Sequence, residues 1–190
     1  WLAKTDEYGN MEWNQTYGGT STDRVYSLIE TSDGGYALAG FFGYTIYAQS
    51  WLVKTDANGD MEWNQTYNVG DFQALIETFD GGFALAAGEG LVKTDANGNM
   101  EWNQTYGGDD YDCFHALIET SDGGYALAGE TYSFGAGASD FWLIKTDEQG
   151  IIPEFPSWLI LPLFLTVTLV VAIFRRKLSK TGNAAFILGD

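Results

Sequence analysis

Along Met61–Tyr67, apolar and polar side chains alternate. Met61, Trp63 and Tyr67 fall on one face of an extended chain, and Glu62, Asn64 and Thr66 on the other. This is the pattern of a half-buried strand with one wet side. Tyr36-Ala37-Leu38-Ala39-Gly40 and Tyr125-Ala126-Leu127-Ala128-Gly129 are instead runs of small residues, as expected where neighbouring sheets crowd together. Turn signals separate the runs. Phe79-Asp80-Gly81-Gly82 and Asp56-Ala57-Asn58-Gly59-Asp60 supply the glycines that tight hairpins need. The pattern predicts four strands per unit, at 73–78, 83–87, 51–55 and 61–67 in the middle of the chain.

These units are copies. Lys-Thr-Asp followed by Met-Glu-Trp-Asn-Gln-Thr-Tyr begins at Lys4, Lys54 and Lys93, and an unfinished Lys-Thr-Asp-Glu-Gln-Gly begins at Lys145. The spacings are 50, 39 and 52 residues, in the range of repeat architectures. Small inner strands with an amphipathic outer strand describe four-stranded antiparallel blades of a partial β-propeller. The expected domain occupies residues 1–150 as about three blades, incomplete at both ends; an open stack of sheets is the competing arrangement. Variation is confined to the connections; the link from second to third strand is 41–50, 88–90 or 130–140 in the successive repeats, which suggests a binding rim. The chain starts at Trp1 inside a repeat, as a fragment, a processed chain or an incompletely known sequence would, and shows no cleavable signal segment.

After Gly150 the pattern stops. Residues 151–156 read as a proline-bounded linker, and 158–174 are seventeen residues without a charge, followed by Arg175-Arg176-Lys177. At ~1.5 Å per residue such a stretch reaches about 25 Å, near the lower limit for a membrane span. The expectation is therefore one C-terminal transmembrane α-helix with its basic stop at 157–177. A cytoplasmic tail at 178–190 would follow, leaving the repeats extracellular.

Composition narrows the function. The formal charge of −17 argues against nucleic acid, because nothing could neutralise phosphates over a continuous surface. Cys113 is the single cysteine, so no intrachain disulfide forms. Asn14, Asn64 and Asn103 each begin an Asn-Gln-Thr acceptor for N-glycosylation, with Asn and Thr on the predicted wet face. The Asp56–Asp60 loop has its glycine in the wrong place for a calcium loop, and a hairpin turn explains it more simply. Asp109-Asp110-Tyr111-Asp112 is the denser acidic cluster and the better cation candidate. Cys113 and His115, two apart on a predicted strand, share a face, but no third group orients the histidine. Trp13, Trp63 and Trp102 could stack on sugars, although their equivalent positions favour packing between blades. No cofactor-binding fingerprint, metal spacing or catalytic constellation is evident in the sequence.

The repeat with Pro153-Glu154-Phe155, the apolar stretch and Arg175-Arg176-Lys177 resembles archaeal cell-surface repeat proteins, over nearly all of residues 1–177. The resemblance implies a propeller carried outside the membrane on a C-terminal helix, and it supplies no active-site residues. Pro153-Glu154-Phe155 is also similar to the tripeptide of archaeal C-terminal sorting signals, except that thirteen residues continue past the basic cluster. The reading is a non-catalytic, membrane-anchored surface protein for adhesion, recognition or envelope structure. Its expected partners are the lipid bilayer, further copies of itself, and an extracellular protein or glycan. The rivals are a self-assembling filament or surface-layer protein, and a fragment of a propeller enzyme whose site lies in other blades.

Overall fold

A computed structural model describes residues 1–43 and 49–153. In chain order the strands are β1 (Leu2–Thr5), β2 (Met11–Gln15), β3 (Asp23–Glu30), β4 (Tyr36–Phe42), β5 (Gln49–Thr55), β6 (Met61–Tyr67) and β7 (Phe72–Glu77), continuing with β8 (Phe83–Ala87), β9 (Gly90–Thr94), β10 (Met100–Thr105), β11 (Asp112–Glu119), β12 (Tyr125–Thr131) and β13 (Asp140–Lys145). They form antiparallel meanders β1–β2, β3–β4–β5–β6, β7–β8–β9–β10 and β11–β12–β13. Among the described residues two four-stranded sheets are thus flanked by a third-and-fourth-strand hairpin and by a three-stranded sheet. β2 pairs with β1 in the register Lys4↔Trp13, the same as Lys54↔Trp63.

One expectation is corrected. The predicted fold class joined a transmembrane α-helix to the sheets, whereas among the described residues every regular element is a strand and no helix is long and apolar enough to cross a membrane. The fold class is all-β, built of repeated antiparallel sheets. The stretch 157–177 assigned to that helix, and the tail 178–190, lie outside the described residues. Residues 151–153 of the linker are irregular.

The turns differ in type from a two-residue hairpin. Gly34, Gly59, Gly81 and Gly98 have φ near +80°, while among the described residues no non-glycine has positive φ. A type I′ turn needs two such residues in succession. The chain instead closes over three to five residues: Gly59 N donates to Asp56 O at 3.1 Å and Asp56 N to Asp60 O at 2.9 Å. A register shift accompanies each such hairpin beside Thr55 and Met100. That shift turns Met61 and Met100 outward, so the half-buried face of the fourth strand is Trp63, Gln65 and Tyr67 rather than Met61, Trp63 and Tyr67.

Consecutive sheets meet through their first strands, β3 on β7 and β7 on β11. Each sheet offers a small-residue face to the large-residue face of the next. Ala37, Ala39 and Leu52 pack on Phe72, Leu75 and Phe83; Ala84, Ala86 and Leu91 pack on Phe114, Leu117 and Tyr125. Alanine at those positions lets the sheets approach closely, and the aromatic rings fill the space between them.

Candidate functional site

Because successive strands run antiparallel, the tight turns all lie on one rim and the second-to-third and fourth-to-first connections on the other. The two rims are built by different chemistry.

On the turn rim each Asp-Gly-Gly turn is tied to a lysine of the third strand. Asp80 accepts from Thr78 Oγ1 at 2.6 Å and from Gly82 N at 3.0 Å. The buried Lys93 ammonium meets Asp80 at 2.8 Å and Glu101 at 3.1 Å, and donates to Thr94 O at 2.8 Å. Lys54 does the same with Asp33 and Glu62, both at 2.8 Å. Among the described residues Lys145 meets one carboxylate, Asp122 at 3.0 Å, and Lys4 one, Glu12 at 3.2 Å. Burial opposes the charge on Asp80, but hydrogen bonds from Lys93, Thr78 and Gly82 outweigh it and bring the carboxyl down to about 2. At Asp33 the Lys54 hydrogen bond leads, and its carboxyl too is held well below the ordinary range.

The tryptophans stitch sheet to sheet. Trp63 meets Phe83 edge-on at 5.8 Å and Trp102 meets Tyr125 in the same way at 5.8 Å. Tyr67 Oη donates to Gly98 O at 2.6 Å, and Tyr106 Oη to Gly150 O at 2.7 Å. A Cβ on Gly98 would lie 2.6 Å from the Trp63 ring, so glycine is required there by contact as well as by φ. These indoles are half-buried packing groups at the sheet interfaces.

On the loop rim the acidic segment before β11 is fastened by one carboxylate. Asp112 is buried; it accepts from Gly108 N at 2.8 Å, Ser133 Oγ at 2.7 Å and Tyr132 N at 3.1 Å. Burial opposes its ionisation, yet donors from Thr131, Ser133 and Gly108 overcome this and hold the carboxyl well below the usual range. Asp112 therefore locks the 108–112 and 131–134 connections to each other. The cation reading of Asp109–Asp112 has no support in this geometry: among the described residues no group of three His, Cys, Asp or Glu side chains could hold a metal. The turn acids Asp56 and Asp95 likewise accept from the backbone of their own loops.

Cys113 and His115 do not form a pair. A bulge between Phe114 and Ala116 breaks the alternation, burying Cys113 and exposing His115, whose Nε2 lies 3.8 Å from Glu130. The bulge recurs at Gln73 and Tyr26 in the other repeats.

What the loop rim presents is aromatic and polar. Tyr111 and Tyr132 meet edge-on at 6.0 Å, and both are exposed, as is Phe134. The Cys113 thiol beside it, with smaller contributions from burial and Glu130, pushes the Tyr111 phenol up to about 12, so it is a neutral donor at physiological pH. Next to Tyr111 a cleft of about 450 Å³ is lined by Asn68, Glu89, Asn103, Thr105 and Asp112. Tyr132, Phe134, Glu89 and Asn68 were not singled out from the sequence. Their signal was the variability of the connections that carry them, which marked the rim but not the residues.

Asn14, Asn64 and Asn103 are exposed on the outermost strands β2, β6 and β10, each with an exposed threonine two residues on. The Asn64 Oδ1 accepts from Trp51 Nε1 at 3.1 Å and the Asn14 Oδ1 from Trp1 Nε1 at 3.2 Å.

No family model matches the chain, and no curated protein matches it. Among solved structures it is similar to a protein of unknown function from Bacteroides caccae, at 11% identity and a TM-score of 0.37, over 79% of this chain and 72% of that one.

Proposed function

We propose that this chain is a non-catalytic recognition module of the cell surface. Its repeated sheets are a fixed frame, and its loop rim binds an extracellular protein or glycan. The observation that carries the reading is the division between rims. Turn-rim residues recur from copy to copy, while the opposite connections differ in length and display Tyr111, Tyr132 and Phe134 beside a polar cleft. Exposed rings with amide and carboxylate neighbours suit neutral or cationic ligands, since a flat aromatic face stacks at little entropic cost and nearby acceptors orient the ligand's donors. The charge of −17 disfavours anionic ligands. The exposed Asn-Gln-Thr triplets are in keeping with an exterior location, and glycans on Asn14 and Asn64, away from the cleft, are expected in intact-protein mass spectra.

Binding to a glycan array and to isolated cell envelopes tests the reading. Tyr111→Ala combined with Tyr132→Ala is expected to weaken capture at least tenfold while leaving the far-ultraviolet spectrum unchanged. Equal capture by the double variant, or repeats that resist protease on intact cells, would overturn it.

A further inference from the structure

The cleft on the loop rim sits where one repeat departs from the others. Trp1, Trp51 and Trp142 open the third-strand segments Trp-Leu-Ala-Lys, Trp-Leu-Val-Lys and Trp-Leu-Ile-Lys, and Gly90 stands at that place in Gly-Leu-Val-Lys. In two copies the indole has a fixed partner on the fourth strand. Trp51 Nε1 donates to Asn64 Oδ1 at 3.1 Å, and Trp1 Nε1 to Asn14 Oδ1 at 3.2 Å. The strand register is the same in the middle repeat. Trp51 pairs with Thr66 and Val53 with Asn64; Gly90 pairs with Thr105 and Val92 with Asn103. Asn103 therefore holds the acceptor position with glycine in place of the indole.

This repeat cannot supply the ring itself. Its link between β8 and β9 is Gly88-Glu89, and a Cβ on Gly90 would lie 2.9 Å from Gln104 O, closer than a side chain tolerates. The cleft of about 450 Å³ is found at this position, lined by Gly90, Val92, Asn103, Thr105, Val69 and Tyr111 among others. Its volume lies within the range of ligand pockets. Asn103 and Tyr111 are exposed, and the half-buried Val69 packs on the adjoining core. One amide acceptor, one apolar contact and one aromatic edge are what an indole uses when it packs.

We propose that this cleft takes a tryptophan side chain presented by an extracellular protein. The ring lies as Trp51 lies in its own sheet, and its N–H is donated to Asn103 Oδ1. The proposal rests on the reading that the loop rim binds a ligand, and it narrows that ligand from protein or glycan to protein. The fold is its own template: twice it seats an indole N–H on the asparagine at this repeat position. Indole is a donor only and satisfies itself on one acceptor, whereas a sugar brings several hydroxyls that need partners. Tryptophan is also among the residues that most often anchor protein interfaces. Glu89 and Asp112 line the cleft and no lysine or arginine does, so basic residues flanking the tryptophan are favoured in the partner.

The test follows a fluorinated N-acetyltryptophanamide by fluorine NMR as full-length protein is added. The probe signal is expected to broaden. Asn103→Leu is expected to weaken binding roughly tenfold, and Asn103 is exposed, so folding is unaffected. Asn103→Asp, which keeps an acceptor and cannot carry a glycan, is expected to bind as the original does. Methylating the indole nitrogen of the probe is expected to cost a similar factor on the original chain and nothing further on Asn103→Leu. Asn64→Leu, at the position already matched by Trp51, is expected to change nothing. No broadening, a methylated probe that binds equally well, or binding indifferent to Asn103→Leu would each overturn the proposal. So would displacement of the probe by N-acetylglucosamine, which would give the cleft to a glycan. The two readings fail separately. Envelope capture that depends on Tyr111 and Tyr132 while the probe does not bind overturns the tryptophan assignment alone; capture that ignores both tyrosines overturns the reading of the rim.

Discussion

The turn rim and the loop rim are made from one repeat but obey different constraints. On the turn rim a buried lysine sits between two carboxylates, a glycine with positive φ lies under an indole, and the same contacts recur in neighbouring sheets. On the loop rim the contacts are fewer; between β12 and β13 the Asp112 and Asp140 carboxylates fasten the chain near its two ends, and Tyr132 and Phe134 face solvent. The difference teaches where this chain tolerates change. A residue whose Cβ or charge is enclosed by an adjacent sheet cannot vary without cost to every copy of the contact, whereas a connection held near its ends can lengthen between them at little entropic expense.

The contrast can be broken first at its most constrained point. Gly98→Ala forces a left-handed backbone onto alanine and drives its Cβ into Trp63, for an expected loss of about 3 kcal/mol, read as a lower urea midpoint. Lys93→Met keeps the stem but removes the ammonium. With Asp80 and Glu101 partly solvated, the expected loss is about 2 kcal/mol, below that for a fully enclosed ion pair.

Smaller effects sharpen the comparison. The Asp80 carboxyl is lowered to about 2, below its unfolded value of about 3.9, so its contribution is present in full above pH ~4 and is lost as pH falls toward 2. Asp80 is more than half exposed, so screening limits this to less than about 1 kcal/mol; Asp80→Asn should flatten acid unfolding by that amount. Phe79→Ser, at an exposed turn position where the other copies carry serine, is expected to change stability by less than about 0.5 kcal/mol in the same assay.

Much of the frame was legible in the sequence. Phe83–Ala87 and Met61–Tyr67 begin and end as the alternation indicates, and the other two strands are displaced by one or two residues. The flanking two- and three-stranded sheets follow from counting repeats. What escaped was whatever depends on a second element. Asn58-Gly59 announces a hairpin, but the local sequence does not choose between a two-residue and a five-residue closure. Strand periodicity puts Cys113 and His115 on one face, and only the pairing of β11 with β12 reveals the bulge that separates them. The lysine–aspartate–glutamate contact was present in each repeat as three recurring letters, yet their meeting requires the register of three strands.

The candidate site was legible as a rim and not as residues. Tyr111 lay within the acidic cluster, and the structure gives the Asp112 carboxylate to the loop backbone and leaves the ring to solvent. Tyr132 and Phe134 lie in a connection of no regular pattern, where sequence carries variability but no direction.

The division of labour between rims is tested most directly by replacing the β12–β13 connection, residues 132–139, with the Gly88-Glu89 link of the preceding repeat, and measuring urea stability and envelope binding on the same sample. The expected result is a folded chain that no longer binds and is destabilised by about 2 kcal/mol, because the buried Asp112 loses its Ser133 and Tyr132 donors. A chain that fails to fold, or one that folds and binds as before, would contradict the assignment of structure to one rim and recognition to the other.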